Sequence, residues 1–109
     1  MKIYVDIDET ICTTPGSRDY SEAVPHPERI ERINSLFDQG HEIVYWTARG
    51  TVTGIDWSEV TRAQFERWGV KYHDLRFQKP AYDLFIDDKN INSDRFFETE
   101  AGERAVSGG

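Results

Sequence analysis

Ile3-Tyr4-Val5-Asp6-Ile7-Asp8-Glu9-Thr10 runs an apolar strand straight into two carboxylates spaced i, i+2. Side chains alternate along a strand, so Asp6 and Asp8 fall on one side of the backbone, a few Å apart. Like charges that close destabilise each other unless a cation or a shared proton intervenes. A chain that puts them at the mouth of a sheet uses them for metal binding, for chemistry, or for both. A second acidic pair, Asp87-Asp88, closes another apolar run, Tyr82-Asp83-Leu84-Phe85-Ile86. Two strands ending in paired aspartates predict one acidic pocket.

Working outward, Lys2–Ile7 reads as a buried first strand, and residues 12–26, rich in Thr, Pro, Gly and Ser, as a loop or small flap. Pro27 to Gln39 reads as a helix with Ile30, Ile33, Leu36 and Phe37 on one face and Gly40 just past its end. Glu42–Trp46 is a second strand that leads into Thr47-Ala48-Arg49-Gly50. A second helix, capped by Asp56 or Ser58, runs through Trp68 with Trp57, Thr61, Phe65 and Trp68 as its inner stripe, and Gly69 ends it. Val70–Leu75 is a weaker third strand, Lys79-Pro80 a connector and Asp83–Ile86 a fourth strand. A short helix over residues 92–98 closes a single domain spanning 1–101, and 102–109 reads as a frayed tail. Strands alternating with helices predict an α/β fold, a parallel Rossmann-like sheet covered on both faces in a three-layer α/β/α sandwich. Such sheets bind ligands at the carboxyl ends of their strands, where Asp6, Asp8, Thr47, Asp87 and Asp88 all fall.

Composition narrows the function. With 20 acidic residues against 13 Lys and Arg, the net charge of −7 disfavours a broad nucleic-acid-binding face. Arg18, Arg49, Arg62 and Arg67 remain available for a local basic groove. A lone Cys12 excludes an intramolecular disulfide and suits a reducing compartment. The first strand begins almost at once, which leaves no room for a signal peptide. No apolar segment approaches the ~20 residues of a membrane span. The expectation is an acidic, cytoplasmic single domain.

Three or four carboxylates in one pocket need a hard cation, and oxygen-only ligation favours Mg²⁺ over zinc. No zinc set competes, since Cys12 stands alone and His26, His41 and His73 are scattered. A Mg²⁺ site with one Lys and one Thr is the equipment of phosphoryl transfer. An aspartate can attack phosphorus in line, and a second aspartate two residues on can protonate the leaving alkoxide.

Taken in order, Asp6-x-Asp8-x-Thr10, Thr47 after a strand, Lys79, and Asp87-Asp88 after a last strand resemble the four motifs of the haloacid dehalogenase superfamily. The match spreads over residues 6 to 88. The resemblance implies Asp6 as nucleophile and Asp8 as general acid and base. It implies Thr47, the adjacent backbone at Ala48, and Lys79 as the phosphoryl-binding groups. It also implies a Mg²⁺ site made by Asp6, the backbone carbonyl of Asp8, Asp87 and Asp88. An aspartate at position 8 favours the phosphatases of that superfamily over its dehalogenases, which need no leaving-group acid.

Members usually carry a cap, whereas here the gaps at residues 11–26 and between Gly69 and Gln78 are too short for one. The chain therefore resembles the small capless phosphatases. An open site must take a large substrate or be covered by another subunit. The acidic balance favours a small phosphorylated metabolite, such as a sugar or polyol phosphate, and a homo-oligomer whose neighbour supplies the lid. Arg18 in the flap and Arg49 beside Thr47 are the candidate substrate contacts, with Asp19 and Tyr20 near the leaving group. The competing readings are a phospho-accepting signalling domain, a polynucleotide end phosphatase and a catalytically silent partner. Receiver domains place Lys after both acidic positions, whereas Lys79 precedes Asp87-Asp88.

Overall fold

A computed structural model describes residues 1–107. Strand β1 (Lys2–Val5) is followed by a two-stranded antiparallel flap, β2 (Cys12–Thr13) and β3 (Val24–Pro25), with a 3₁₀ turn at Tyr20–Glu22. Helix α1 (Pro27–Asp38) leads to β4 (Glu42–Trp46), α2 (Ser58–Trp68) to β5 (Asp74–Arg76), and two helices follow, α3 (Ser93–Phe96) and α4 (Thr99–Ser107). The sheet is parallel, in the order β1-β4-β5, with Ile3 opposite Ile43 and Tyr45 opposite Leu75.

The central strand explains the core. Ile43, Val44 and Tyr45 are all fully buried, the continuous apolar run expected of a central parallel strand. Val5, Ile43, Tyr45 and Leu75 join Ile30, Ile33 and Leu36 of α1 and Phe65 of α2 in one cluster. These α1 positions recur at the spacing that puts them on a single face. The alternate positions behave differently, because Tyr4 is 47 % exposed and packs edge-on against Trp46. Lys2 pairs with Glu42, and Arg76 with Asp74, at the same surface.

Several sequence expectations change. The segment Tyr82–Ile86 is not a strand: residues 81–92 carry no helix or strand, and Leu84 and Ile86 are 75 % and 88 % exposed. The third strand starts at Asp74 rather than Val70, because Val70 closes the end of α2, its N–H donating to the Phe65 carbonyl. The expected frayed tail is helical through Ser107, while 108 and 109 lie outside the described residues. Gly102 permits that helix to dock, since a Cβ there would stand 2.1 Å from the Phe96 carbonyl oxygen. No helix among the described residues is long and apolar enough to cross a membrane.

Among the described residues, one buried side-chain polar atom is left without a partner, the Tyr45 hydroxyl. An unsatisfied buried polar atom costs its full desolvation. Tyr45→Phe is therefore expected to raise stability by about 1 kcal/mol, read as a higher urea midpoint at unchanged slope. A lower midpoint would mean the hydroxyl has a partner.

Candidate active site

The turn after β1 is built on two plugs, Ile7 and Ile11, both fully buried. The Ile7 carbonyl accepts from the N–H groups of Thr10 and Ile11 at 3.1 and 2.9 Å, and Glu9 takes the left-handed conformation at φ 61°. The Glu9 N–H donates to the Cys12 carbonyl at 2.8 Å, and the Glu9 carboxylate accepts from Thr14 N–H at 3.0 Å. With the intervening Ile7 locked inward, Asp6 and Asp8 turn toward the loops at the carboxyl end of the sheet.

Their surroundings are unlike. Asp8 is forked by Arg49: Nε donates to Oδ2 at 2.9 Å and Nη2 to Oδ1 at 2.8 Å. Thr14 Oγ1 donates a short hydrogen bond to Oδ1, and Cys12 Sγ lies 3.5 Å from the same oxygen. Asp6 instead faces Lys79 Nζ at 3.7 Å and accepts from Ile7 N–H at 2.9 Å. Asp6 keeps 41 % of its side-chain surface, yet desolvation by the protein around it is the largest influence on its carboxyl and pushes it up. The Lys79 charge and the Ile7 N–H pull it down, and the Asp8 charge pushes it up again. Burial pushes the Cys12 thiol up to about 12, so it is protonated at neutral pH and no nucleophile.

Lys79 is placed by the chain around it. Gln78 is left-handed at φ 64°, Lys79 N–H donates to the Thr47 carbonyl at 3.0 Å, and Thr51 Oγ1 donates to the Lys79 carbonyl at 2.8 Å. Thr47 is buried beneath this connector, and its Oγ1 accepts from Arg49 N–H at 3.1 Å, which leaves the hydroxyl hydrogen to donate elsewhere. Ala48, between them, is half-buried. Gly50 completes the loop at φ 82°; a Cβ there would stand 2.0 Å from the Ile55 carbonyl oxygen. The fold thus brings together Asp6, Asp8, Thr47, Arg49 and Lys79.

The other expected residues are elsewhere. Arg18 is exposed in the flap at φ 58°, with no side-chain contact to Asp6 or Asp8. Asp19 caps the 3₁₀ turn, its carboxylate accepting from Ser21 N–H at 3.1 Å. Asp87 and Asp88 lie on the exposed 81–92 segment, where the Asp87 carboxylate accepts from Asp88 N–H at 2.6 Å. No contact joins them to Asp6. His26, at the flap's return, binds Thr13 Oγ1 at 2.7 Å and lines a cleft with Glu9, Arg29 and Asp94 that excludes Asp6 and Lys79.

Arg49 corrects one reading. Expected to meet substrate, it is 3 % exposed, and its five N–H groups all face inward. Beyond the Asp8 fork, Nη1 donates to Thr61 Oγ1 at 3.0 Å and Gln64 Oε1 at 2.6 Å, and Nη2 points at Cys12 Sγ at 3.9 Å. The sequence carried a signal for this, a polar Gln64 on the inner stripe of α2 between Thr61 and Phe65, where a buried amide needs a partner.

A hard divalent cation suits the oxygen donors here, and a desolvated carboxylate such as Asp6 would gain from one. Asp6 and the Asp8 main chain stand at the turn, while Asp87 and Asp88 do not reach it. Among the described residues no three His, Cys, Asp or Glu side chains converge as a metal site.

No family model and no curated protein matches the chain. The chain is similar to a solved structural-genomics target from Vibrio cholerae, at 23 % identity and a TM-score of 0.80, over 99 % of this chain and 98 % of that one. That likeness shows the fold alone.

The unlike partners of the two carboxylates predict opposite substitution effects. Asp8→Ala strands a buried guanidinium and is expected to cost about 3 kcal/mol. Asp6→Asn is expected to stabilise at pH 7. The folded carboxyl is raised above its ordinary 3.8, so its contribution favours the fold below that value and is lost as pH rises through the raised one. Urea unfolding without divalent cations should show the Asp6→Asn gain shrinking toward pH 3.8; a loss of stability at pH 7 would contradict it.

Proposed function

We propose that the chain is a phosphomonoesterase working through an aspartyl-phosphate on Asp6, with a small metabolite, such as a sugar or polyol phosphate, as substrate. The observation that carries this reading is the meeting of Asp6 and Lys79 at 3.7 Å beside Thr47, at the carboxyl ends of β1 and β4. A lone carboxylate opposite an ammonium is an arrangement suited to attack on an anionic phosphoryl group, which the carboxylate alone would repel. The ordered motifs resembling the haloacid dehalogenase superfamily support it independently.

In this mechanism an Asp6 oxygen attacks phosphorus, and the P–O bond to the leaving group breaks with its electron pair on the alkoxide. Lys79 Nζ and the Thr47 hydroxyl hold the phosphoryl oxygens. Asp8 Oδ1 is saturated by Arg49, Thr14 and Cys12, whereas Oδ2 accepts only from Arg49 Nε. Oδ2 is therefore the oxygen that enters the cycle carrying a proton, its bond from Arg49 Nε giving way, and hands that proton to the alkoxide. Water then attacks phosphorus of the aspartyl-phosphate, Oδ2 takes its proton, and inorganic phosphate leaves with the Asp6 carboxylate restored. Mg²⁺ would supply charge neutralisation of the phosphoryl oxygens, held by Asp6 and the Asp8 carbonyl, with Asp87 and Asp88 joining only if the 81–92 segment brought them to the turn.

The reading includes a fourth strand. Among the described residues β1 pairs with β4 alone, and Tyr82–Ile86 is an apolar run left outside the sheet. The segment is pinned at both ends to the site's own loops, at Lys79 by Thr47 and Thr51, and at Ser93, whose Oγ donates to the Glu9 carbonyl at 3.4 Å. Asp88 lies five residues from Ser93, a reach of at most about 18 Å. Pairing of 82–86 along β1 would add a fourth strand to the parallel sheet and carry Asp87 and Asp88 to the turn. Only the flap stands where a cap would, so a second copy of the chain is the proposed cover.

Phosphate release from sugar, polyol, nucleotide and oligonucleotide 3′-phosphates, with and without Mg²⁺, tests the proposal. Mg²⁺-dependent release, fastest on sugar or polyol phosphates and reduced at least ~10³-fold in Asp6→Asn, is expected. Release that survives Asp6→Asn, or none from folded protein, would overturn it.

A further inference from the structure

The Arg49 guanidinium sits where three parts of the chain meet. It forks Asp8 on the turn after β1, bonds Thr61 and Gln64 on α2, and lies 5.0 Å beneath the Tyr20 ring of the flap. Gln64 Nε2 donates in turn to the Tyr20 carbonyl, and Tyr20 packs edge-on against Trp57 at 5.1 Å. Turn, helix and flap therefore share one buried cation, although residues 8, 20, 49 and 64 are far apart in sequence.

Stability alone is a weak account of this cluster. A buried ion pair is costly to desolvate, and an apolar set of the same volume would often be at least as stable. What the fork does provide is direction. A carboxylate held through both oxygens by a planar guanidinium has one orientation, whereas a lysine in that place would offer a point charge and no fork. The Asp8 side chain keeps 21 % of its surface while that of Arg49 keeps none, so the pair presents the carboxylate outward with the cation behind it.

We propose that Arg49 is the positioning residue of this site, fixing the Asp8 carboxylate for proton transfer and locking the flap to α2 through Tyr20. The proposal deepens the phosphatase reading and rests on it for the reaction that Asp8 serves. Arg49 touches no substrate; it acts through Asp8, with Thr61 and Gln64 holding the guanidinium from behind. Displacing a catalytic group by about 1 Å can cost ~10²-fold in rate.

The test combines steady-state kinetics with amide hydrogen exchange over residues 12–26, in wild type, Arg49→Lys, Arg49→Ala and Thr61→Val. Arg49→Lys is expected to lose about 10²-fold in kcat with KM within threefold, because phosphoryl binding by Lys79 and Thr47 is untouched. Guanidinium ion at tens of millimolar should restore part of the Arg49→Ala loss. Thr61→Val, which removes one support without touching Arg49 or Asp8, should lower kcat about fivefold and keeps the proposal testable where an Arg49 variant fails to fold. The flap amides should exchange at least tenfold faster in every folded Arg49 variant. Wild-type kcat together with unchanged flap exchange in Arg49→Lys would overturn the proposal. An inactive wild type would overturn the phosphatase reading instead, and flap exchange would then decide whether Arg49 locks the flap.

Discussion

Two carboxylates two residues apart cannot share one environment, and the rest of the site follows from how this chain separates them. Asp8 is neutralised by a buried guanidinium and tied down through both oxygens. Asp6 is left half-open opposite an ammonium 3.7 Å away, with its carboxyl pushed up by desolvation. One aspartate is oriented and the other exposed to whatever enters. That division suits a proton donor beside a nucleophile better than it suits two equivalent ligands.

The scaffold for this division was partly legible in the sequence. β4 is bounded at Glu42 and Trp46 as its apolar run predicts, and α1 buries Ile30, Ile33 and Leu36 as their spacing requires. Strong periodicity reads well because burial enforces it. Lys79 entered the candidate site through the motif resemblance rather than through strand position, and its ammonium stands 3.7 Å from Asp6. The role of Arg49 was not legible: position beside Thr47 suggested a substrate contact, and Gln64 and Thr61 on the inner face of α2 were the hint of a buried cation. Gly102 misled in the opposite direction. A glycine near a polar end reads as a breaker, yet here the missing side chain lets α4 approach the Phe96 carbonyl.

Tyr82–Ile86 shows where pattern and structure part. Its β-formers and flanking Asp87-Asp88 read as a strand, but the segment is exposed, with Lys79 Nζ 5.5 Å from the Tyr82 ring and Tyr82 against Phe85. Large apolar side chains gathered in solvent are costly, and contiguous exposure of this kind marks a surface that something covers. The unpaired side of β1 and the pinned ends at Lys79 and Ser93 make the chain itself the proposed cover. The same movement would supply the acidic pair that the metal reading needs.

The most direct test of the central claim is to trap the intermediate. Protein mixed with a reactive phosphomonoester, quenched in acid and reduced with borohydride, should yield homoserine at position 6, since borohydride reduces an acyl phosphate but not a free carboxylate. Homoserine confined to position 6 is expected if Asp6 is the nucleophile. Reduction at another carboxylate, or none in protein that releases phosphate, would contradict it.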